Sequence, residues 1–344
     1  MVRTMSQLKS KEKVYKYQIS KPLGSGNFSD VYHAFDRALK AEKAIKILKS
    51  SNPDEFLTCL QEAQILNKCV NKHIVAINEA NIIKVAGVRR VVLDLEYIPE
   101  GSLELALEQR WVSINESVEY LRNALVGLEH AHSENILHRD IKPGNILLSP
   151  GAAKLSDFGL ATEVNMGATG SGQGYTTHLP PEFFVTETTN VQSDIYAAGI
   201  TLFRSINNIS NWNEIVVNLP NFNDVIEQGK LIKKIGFLDS TPDKIKRIVR
   251  RACHANAQKR YSSAQEFRQD LDRLRFGIDW VKVTEHQWQA NGENEFDVYV
   301  NPSNNTLTVK KNGRRISSLC GKFPSLMDAV SAMNKHVADT TLLI

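Results

Sequence analysis

The sequence predicts an α+β chain made of a large part and a small one, on three observations. Short apolar runs alternate with turn residues over 17–50, as in a small antiparallel sheet. From Pro99-Glu100-Gly101 to about residue 275 the apolar residues fall mainly at helical spacing. Strand alternation then returns at Phe296, Val298 and Val300 and at Leu307 and Val309. A β-rich lobe thus precedes a helical lobe, and a small β-meander follows. The 344 residues suit one large domain plus an appendage, and 42% hydrophobic with 23% charged residues excludes a wholly disordered or collagen-like chain.

Residues 1–16 are basic, lack the apolar stretch of a secretory signal, and are expected to be a flexible tail. After the sheet of 17–50, residues 54–69 take helical spacing, with Leu60, Ile65 and Leu66 toward the core, and 91–98 read as a strand. The run Tyr196 to Phe203 is too short to span a membrane and reads as a buried helix. Four of the eight residues of 167–174 are glycine, a composition expected to be mobile. Asn312-Gly313 is the pair a tight hairpin favours. Ser325 is the expected N-cap of a last helix whose Leu326, Val330, Met333 and Val337 share one face.

Cys59, Cys69, Cys253 and Cys320 are far apart, with no pair at metal-ligand spacing, which argues against a zinc site or disulfide framework and for a reducing, cytoplasmic setting. A net charge of +4 gives no case for membrane binding and leaves nucleic acid open.

The chemistry lies in four segments. Gly24-Ser25-Gly26-Asn27-Phe28-Ser29-Asp30-Val31 places glycines where a hairpin brings backbone N–H groups near phosphate oxygens, although alone it reads as a plain turn. In Ala44-Ile45-Lys46 a lysine sits in an apolar strand, where an unpaired ammonium is costly and an anionic partner is required. Glu62, one helical turn before Leu66, is the preferred partner, with Glu55 the rival. The run Ile136-Leu137-His138-Arg139-Asp140-Ile141-Lys142-Pro143-Gly144-Asn145-Ile146 is a polar loop held between apolar anchors. Its Asp140 can accept a hydroxyl proton, Lys142 can neutralise a transferring phosphoryl group, and Asn145 can ligate a divalent metal. Asp157, in Ser156-Asp157-Phe158-Gly159, offers a second oxygen for an Mg²⁺ site.

Together these residues resemble the protein kinase family over about 17–276. Further matches are Pro180-Pro181-Glu182, Asp194-Ile195-Tyr196-Ala197-Ala198-Gly199 and Arg260, and Lys142 is similar to the serine/threonine class. The resemblance implies a two-lobed kinase fold, with an N-lobe at 17–98, a C-lobe at 99–276 and an accessory α+β domain at 277–344. It implies ATP with Mg²⁺, or Mn²⁺ in its place, and a protein substrate. By resemblance Lys46, positioned by Glu62, holds the α- and β-phosphates under the loop of Gly24, Ser25, Gly26, Phe28 and Ser29. Asn145 and Asp157 hold the metal, Asp140 orients the hydroxyl and Lys142 stabilises the γ-phosphoryl group. Adenine lies against Val31 and Ala44 beside the gatekeeper Leu95, its edge meeting the backbone of Glu96 and Ile98. Leu66, His138 and Phe158 stack between the lobes, and Arg260 pairs with Glu182. A nucleotide-binding pseudokinase scaffold and a small-molecule phosphotransferase are the alternatives. The first is disfavoured by Lys46, Asp140, Asn145 and Asp157, the second by Asp194, Glu182 and Arg260.

Three positions depart from the family pattern: Ser29 for a glycine, Pro180 for an alanine, and Tyr175 after Gly174 for a threonine. Arg139 is similar to the arginine of kinases switched on by loop phosphorylation, with Thr162, Thr169, Ser171, Thr176 and Thr177 as candidate acceptors. No lysine or arginine stands between Asp157 and Glu182 to help it hold a phosphate. In the appendage, Lys310, Lys311, Arg314 and Arg315 crowd the hairpin, suiting an acidic protein or a phosphate-bearing partner, or simply blunting an edge strand. Trp280, Trp288, Phe296 and Phe323 read as this domain's core.

Overall fold

The computed structural model describes residues 8–26, 29–49, 53–85, 87–163 and 176–343, except for the side chains of 53–59, 162, 163 and 176. Phe28, Thr169, Ser171, Gly174, Tyr175 and the glycine-dense segment 167–174 lie outside the described residues, as do the side chains of Glu55, Thr162 and Thr176.

The N-lobe sheet contains β1 (Lys13–Val14), β2 (Tyr17–Ser25), β3 (Ser29–Asp36), β4 (Ala41–Leu48), β5 (Ile77–Val85) and β6 (Val88–Glu96), with α1 (Pro53–Lys68) between β4 and β5. Neighbours pair antiparallel in the order β1-β2-β3-β4-β6-β5. Two expectations change here. Residues 8–16 are not a free tail: Leu8 and Val14 are buried in the N-lobe core and Lys11 donates its N–H to the Ile19 carbonyl at 2.8 Å. Packing overrides a basic composition because two apolar side chains suffice to dock a short strand. The edge strand β5 was not expected, since its apolar residues Ile77, Ala80, Ile82, Ile83 and Val85 do not alternate regularly with polar ones.

The C-lobe is built on α2 (Leu103–Gln109), α3 (Ile114–Ser133) and, after the short strands β7 (Ile136–Leu137), β8 (Ile146–Ser149), β9 (Ala152–Leu155) and β10 (Thr162–Glu163), on α4 (Phe183–Thr186) and α5 (Val191–Ile206). Then come α6 (Trp212–Val217), α7 (Phe222–Glu227), α8 (Leu231–Ile235), α9 (Asp243–Ala252) and α10 (Ala264–Asp272). Reciprocal caps start the two central helices, Ser113 with Glu116 on α3 and Asn190 with Ser193 on α5. Every residue of α5 from Ser193 to Ile206 is buried, so this helix is the lobe's axis, as its apolar run predicts.

The appendage is a meander of β11 (Val281–Thr284), β12 (Gln287–Ala290), β13 (Phe296–Asn301), β14 (Thr306–Lys311), β15 (Arg314–Arg315) and β16 (Gly321–Lys322), covered by α11 (Leu326–Thr341). Asn312 and Gly313 turn the hairpin with positive φ at both residues, 48° and 73°. Ser325 caps α11 by accepting the Asp328 N–H at 3.1 Å. Met333 and Val337 of the expected face are buried, Leu326 and Val330 pack at its margin, and Ala329 and Thr341 complete it. Trp280 and Trp288 lie in this core, with Phe296 and Phe323 against it.

The appendage is seated on the C-lobe. Trp288 meets Trp111 edge to face at 5.2 Å and Leu343 donates its N–H to the Arg275 carbonyl at 2.8 Å. Gly277 and Ile278 donate theirs to Thr341 and Thr340 at 2.9 Å each. A Cβ on Gly277 would stand 2.6 Å from the Thr340 carbonyl, so this junction requires glycine. Among the described residues no helix is long and apolar enough to cross a membrane.

Candidate active site

Strand register lines up the cleft. Val31 pairs with Lys46, Ala44 with Leu95 and Lys46 with Leu93, so Val31, Ala44, Lys46 and Leu95 lie on one face of the sheet. Gly24 pairs with Val31 and Ser25 with Asp30, carrying the glycine turn over that face. The turn is held from within: Gly26 donates to the Ser29 carbonyl at 2.9 Å, Ser25 Oγ to Asp30 at 2.5 Å, and Lys49 Nζ to the Gly26 carbonyl at 2.7 Å. Ile98 is buried just beyond β6. The Glu96 carboxylate meets Lys154 Nζ at 2.7 Å, tying the linker between the lobes to β9.

The lysine that demanded an anion has two. Lys46 Nζ lies 2.6 Å from Glu62 Oε1 and 2.6 Å from Asp157 Oδ1, with Lys46 and Glu62 both buried. Burial pulls the Lys46 pKa down, but the two carboxylates more than offset it and the net direction is up. Burial and the like charge of Asp157 raise Glu62 despite Lys46. Asp157 moves the other way: packing opposes its charge, yet Lys46 holds it down at about 2. Its side chain is still 45% exposed, so it faces the cleft.

Backbone geometry presents these groups. Arg139 and Asp157 both adopt positive φ, 68° and 60°, which non-glycine residues hold only when their surroundings enforce it. Asp194, buried on the first turn of α5, enforces the first: it accepts the His138 N–H at 2.9 Å, the Arg139 N–H at 2.8 Å and His132 Nε2 at 2.9 Å. Burial raises its pKa, but these bonds and the charge of His132 bring it below the ordinary carboxylate value. The second is held through Ser156, whose N–H reaches the Asn145 carbonyl at 2.9 Å, and through Phe158, which is fully buried edge-on to His138 at 4.6 Å. Burial lowers the His138 pKa, and the ring is neutral: Nε2–H donates to the Ser156 carbonyl at 3.0 Å while Nδ1 accepts the Asp140 N–H at 3.3 Å. Leu66 is buried in the same apolar core as Phe158.

Asp140 is met by Lys142 Nζ at 2.7 Å and by the Asn145 side-chain N–H₂ at 2.9 Å. Asn145 also donates to the Asp140 carbonyl at 2.8 Å, which turns its own amide oxygen away from Asp140. That oxygen and the free oxygen of Asp157 are hard donors, fitting Mg²⁺ with nucleotide phosphates and water completing its shell. The structure therefore brings together Lys46, Glu62, Asp140, Lys142, Asn145 and Asp157.

One expected modification site changes. Thr177 is buried and accepts a hydrogen bond from Trp212 Nε1 at 2.9 Å, so its hydroxyl is a structural group rather than an open phosphate acceptor. Arg139 is half-buried, and among the described residues no carboxylate lies within 4.0 Å of its guanidinium. The expected pair of Arg260 with Glu182 is present, bidentate at 2.7 Å for each bond. Sequence reasoning missed His132, Lys154 and Trp212, whose partners lie 62, 58 and 35 residues away and leave no local pattern.

A two-lobed fold with this charge constellation in its cleft is the arrangement of the protein kinase class. The protein kinase domain model matches residues 17–271, and the chain belongs to that family. It is 29% identical over 334 residues to serine/threonine-protein kinase PrkC of Bacillus subtilis, covering 87% of this chain and 49% of that protein. It is 28% identical over 268 residues to probable serine/threonine-protein kinase PknB of Lactococcus lactis, covering 74% of this chain and 41% of that protein. A third relative is serine/threonine-protein kinase PknL of Mycobacterium tuberculosis, 32% identical over 196 residues, covering 55% of this chain and 48% of that protein. The chain spans less than half the length of these relatives.

Proposed function

We propose that this chain is a serine/threonine protein kinase that transfers the γ-phosphoryl group of ATP to protein hydroxyls, its own included. The observation that carries the reading is Lys46 bridging Glu62 and Asp157 at 2.6 Å to each, which aligns a phosphate-binding ammonium with a metal-binding carboxylate. In this reading Val31, Ala44 and Leu95 hold adenine and the backbone of Glu96 and Ile98 meets its edge. Asn145 and Asp157 hold Mg²⁺, which supplies charge neutralisation on the phosphates. Asp140 orients the acceptor hydroxyl and takes its proton, while Lys142, already 2.7 Å from Asp140, offsets charge on the transferring group. Lys142 and the names of the relatives support the serine/threonine class. The appendage serves targeting or regulation in this proposal, through the exposed Arg314 and Arg315 and their cross-strand partners Lys311 and Lys310, toward an acidic or phosphate-bearing surface.

The test is labelled ATP with Mg²⁺ and a generic protein substrate, followed by identification of the phosphorylated residue type. Wild type is expected to label serine and threonine, and Asp157→Ala to lose about 10³-fold in rate while remaining folded by circular dichroism. Equal inertness of the two proteins rejects the enzyme reading, and label confined to small-molecule acceptors rejects the protein substrate.

A further inference from the structure

We propose that Trp212 and Arg204 are positioning residues for the protein substrate, acting from behind the segment that runs from Thr177 to Glu182. The inference rests on the kinase reading for its function and on the geometry for its mechanism. The far end of the segment is fixed by the bidentate pair of Glu182 with Arg260. The near end is held by a hydrogen bond and ring packing. Trp212 Nε1–H donates to Thr177 Oγ1 at 2.9 Å, and Thr177 Oγ1 lies 3.2 Å from His178 Nδ1. The His178 ring packs on the Trp212 ring at 5.8 Å between centroids.

Behind Trp212 stands Arg204 of α5, 1% exposed, its guanidinium 5.2 Å from the indole centroid and paired with Glu104 on α2. A buried guanidinium is tolerated only with an anion and a polarisable face beside it, and Glu104 and Trp212 supply these. Burial, and then the charges of Arg204 and Lys142, push His178 well below the ordinary histidine range, so the ring is neutral and Nδ1 can accept a hydrogen bond from the Thr177 hydroxyl. His178, Leu179 and Pro180 then line a water-sized cavity of about 10 Å³ together with Arg139, Asp140, Thr189 and Asp194. The chain of contacts thus runs from α2, which follows the linker between the lobes, through α5 and α6 to the wall beside Asp140. A protein substrate entering there meets a wall already set in place. In the kinase reading ATP lies against Val31, Ala44 and Lys46, on the N-lobe side of the cleft.

The test compares Trp212→Phe, which keeps the ring and removes the donor, with Thr177→Val, which keeps the shape and removes the acceptor, and with the double variant, all in the full chain. Each single variant is expected to lower kcat/KM for protein substrate about 5–10-fold, as for loss of one buried hydrogen bond, with KM for ATP unchanged. The double variant is expected to equal Thr177→Val, because that variant already removes the bond that Trp212→Phe removes, along with the contact to His178. Amide hydrogen exchange is read in parallel: protection of 178–186 should fall by a similar factor while the N-lobe strands stay unchanged. Unchanged exchange at 178–186, additive losses, or an equal shift in KM for ATP would each overturn the inference. A wild type as inert as Asp157→Ala would overturn the kinase reading separately, and the exchange result would still decide whether Trp212 and Thr177 hold the segment.

Discussion

The cleft and the appendage solve opposite problems with the same charged residues. In the cleft, Lys46 and Glu62 are buried and survive only through one another and Asp157. In the appendage, cations stay at the rim, with Lys310 over the Tyr299 ring at 5.2 Å and Lys311 over the Phe296 ring at 5.6 Å, while Val298, Val309, Met333 and Val337 fill the interior. The first arrangement costs stability and makes sense only as chemistry. The second is what any small sheet and helix require. Buried charge alone does not mark the cleft, since Asp36 and Asp94 are buried in the N-lobe too; what sets the cleft apart is a buried ammonium shared by two carboxylates.

The sharpest way to test that contrast is to neutralise one cleft charge without changing its shape. Burial and Asp157 raise the Glu62 pKa, so the fold favours the neutral form and the ionised form weighs against stability above the folded pKa. Glu62→Gln should cost less stability in denaturant unfolding than the loss of a buried ion's sole partner, because Asp157 still pairs with Lys46. It should nonetheless lower phosphoryl transfer about 10²-fold, because Lys46 loses the partner that aims it. A large stability loss with unchanged transfer would erase the distinction between the regions. The converse variant is Met333→Ala, at a fully buried position of α11. It should destabilise the appendage by about 2–5 kcal/mol on calorimetric unfolding, while transfer measured below the transition stays near wild type. An equal loss of transfer would instead show that the junction between the appendage and the C-lobe couples the two regions.

The same contrast explains what the sequence made legible. Lys46, Asp140, Asn145 and Asp157 could be read because each is a costly residue in an apolar setting or a constrained loop, and the choice of Glu62 over Glu55 followed from its place one turn before Leu66. Register then did the rest, since strand pairing puts Val31, Ala44 and Leu95 on the face of Lys46 without further instruction. The illegible parts are those held over long separations or by weak patterns. Asp194 was read as part of a helix and as a mark of a protein-substrate kinase, but not as the group that fixes the backbone of His138 and Arg139 from more than fifty residues away. The edge strand β5 and the docking of residues 8–16 escaped because an irregular mix of apolar and polar residues and two apolar anchors are common in loops as well. The appendage shows the reverse: its meander and helix were legible from alternation and a cap, but nothing in that pattern carries a chemical task.

The smallest expected effect concerns acid. Asp157 is depressed from the ordinary 3.8 to about 2, chiefly by Lys46 working against burial. A carboxylate depressed on folding contributes stability that is fully present above its unfolded pKa and is lost as pH falls through the folded value. The window is thus between about pH 4 and pH 2, and between pH 5 and pH 8 this group contributes no slope. Melting curves of wild type and Asp157→Asn should differ by a constant amount from pH 8 down to pH 5, and the difference should close below pH 4 as the wild-type carboxylate gains its proton. With nearly half of its side chain open to solvent, the difference is expected to be small and to shrink further in salt. A gap that instead varied between pH 5 and pH 8 would place the relevant titration on another group, and the ammonium shared by Glu62 and Asp157 would no longer explain why both acids can stand in one cleft.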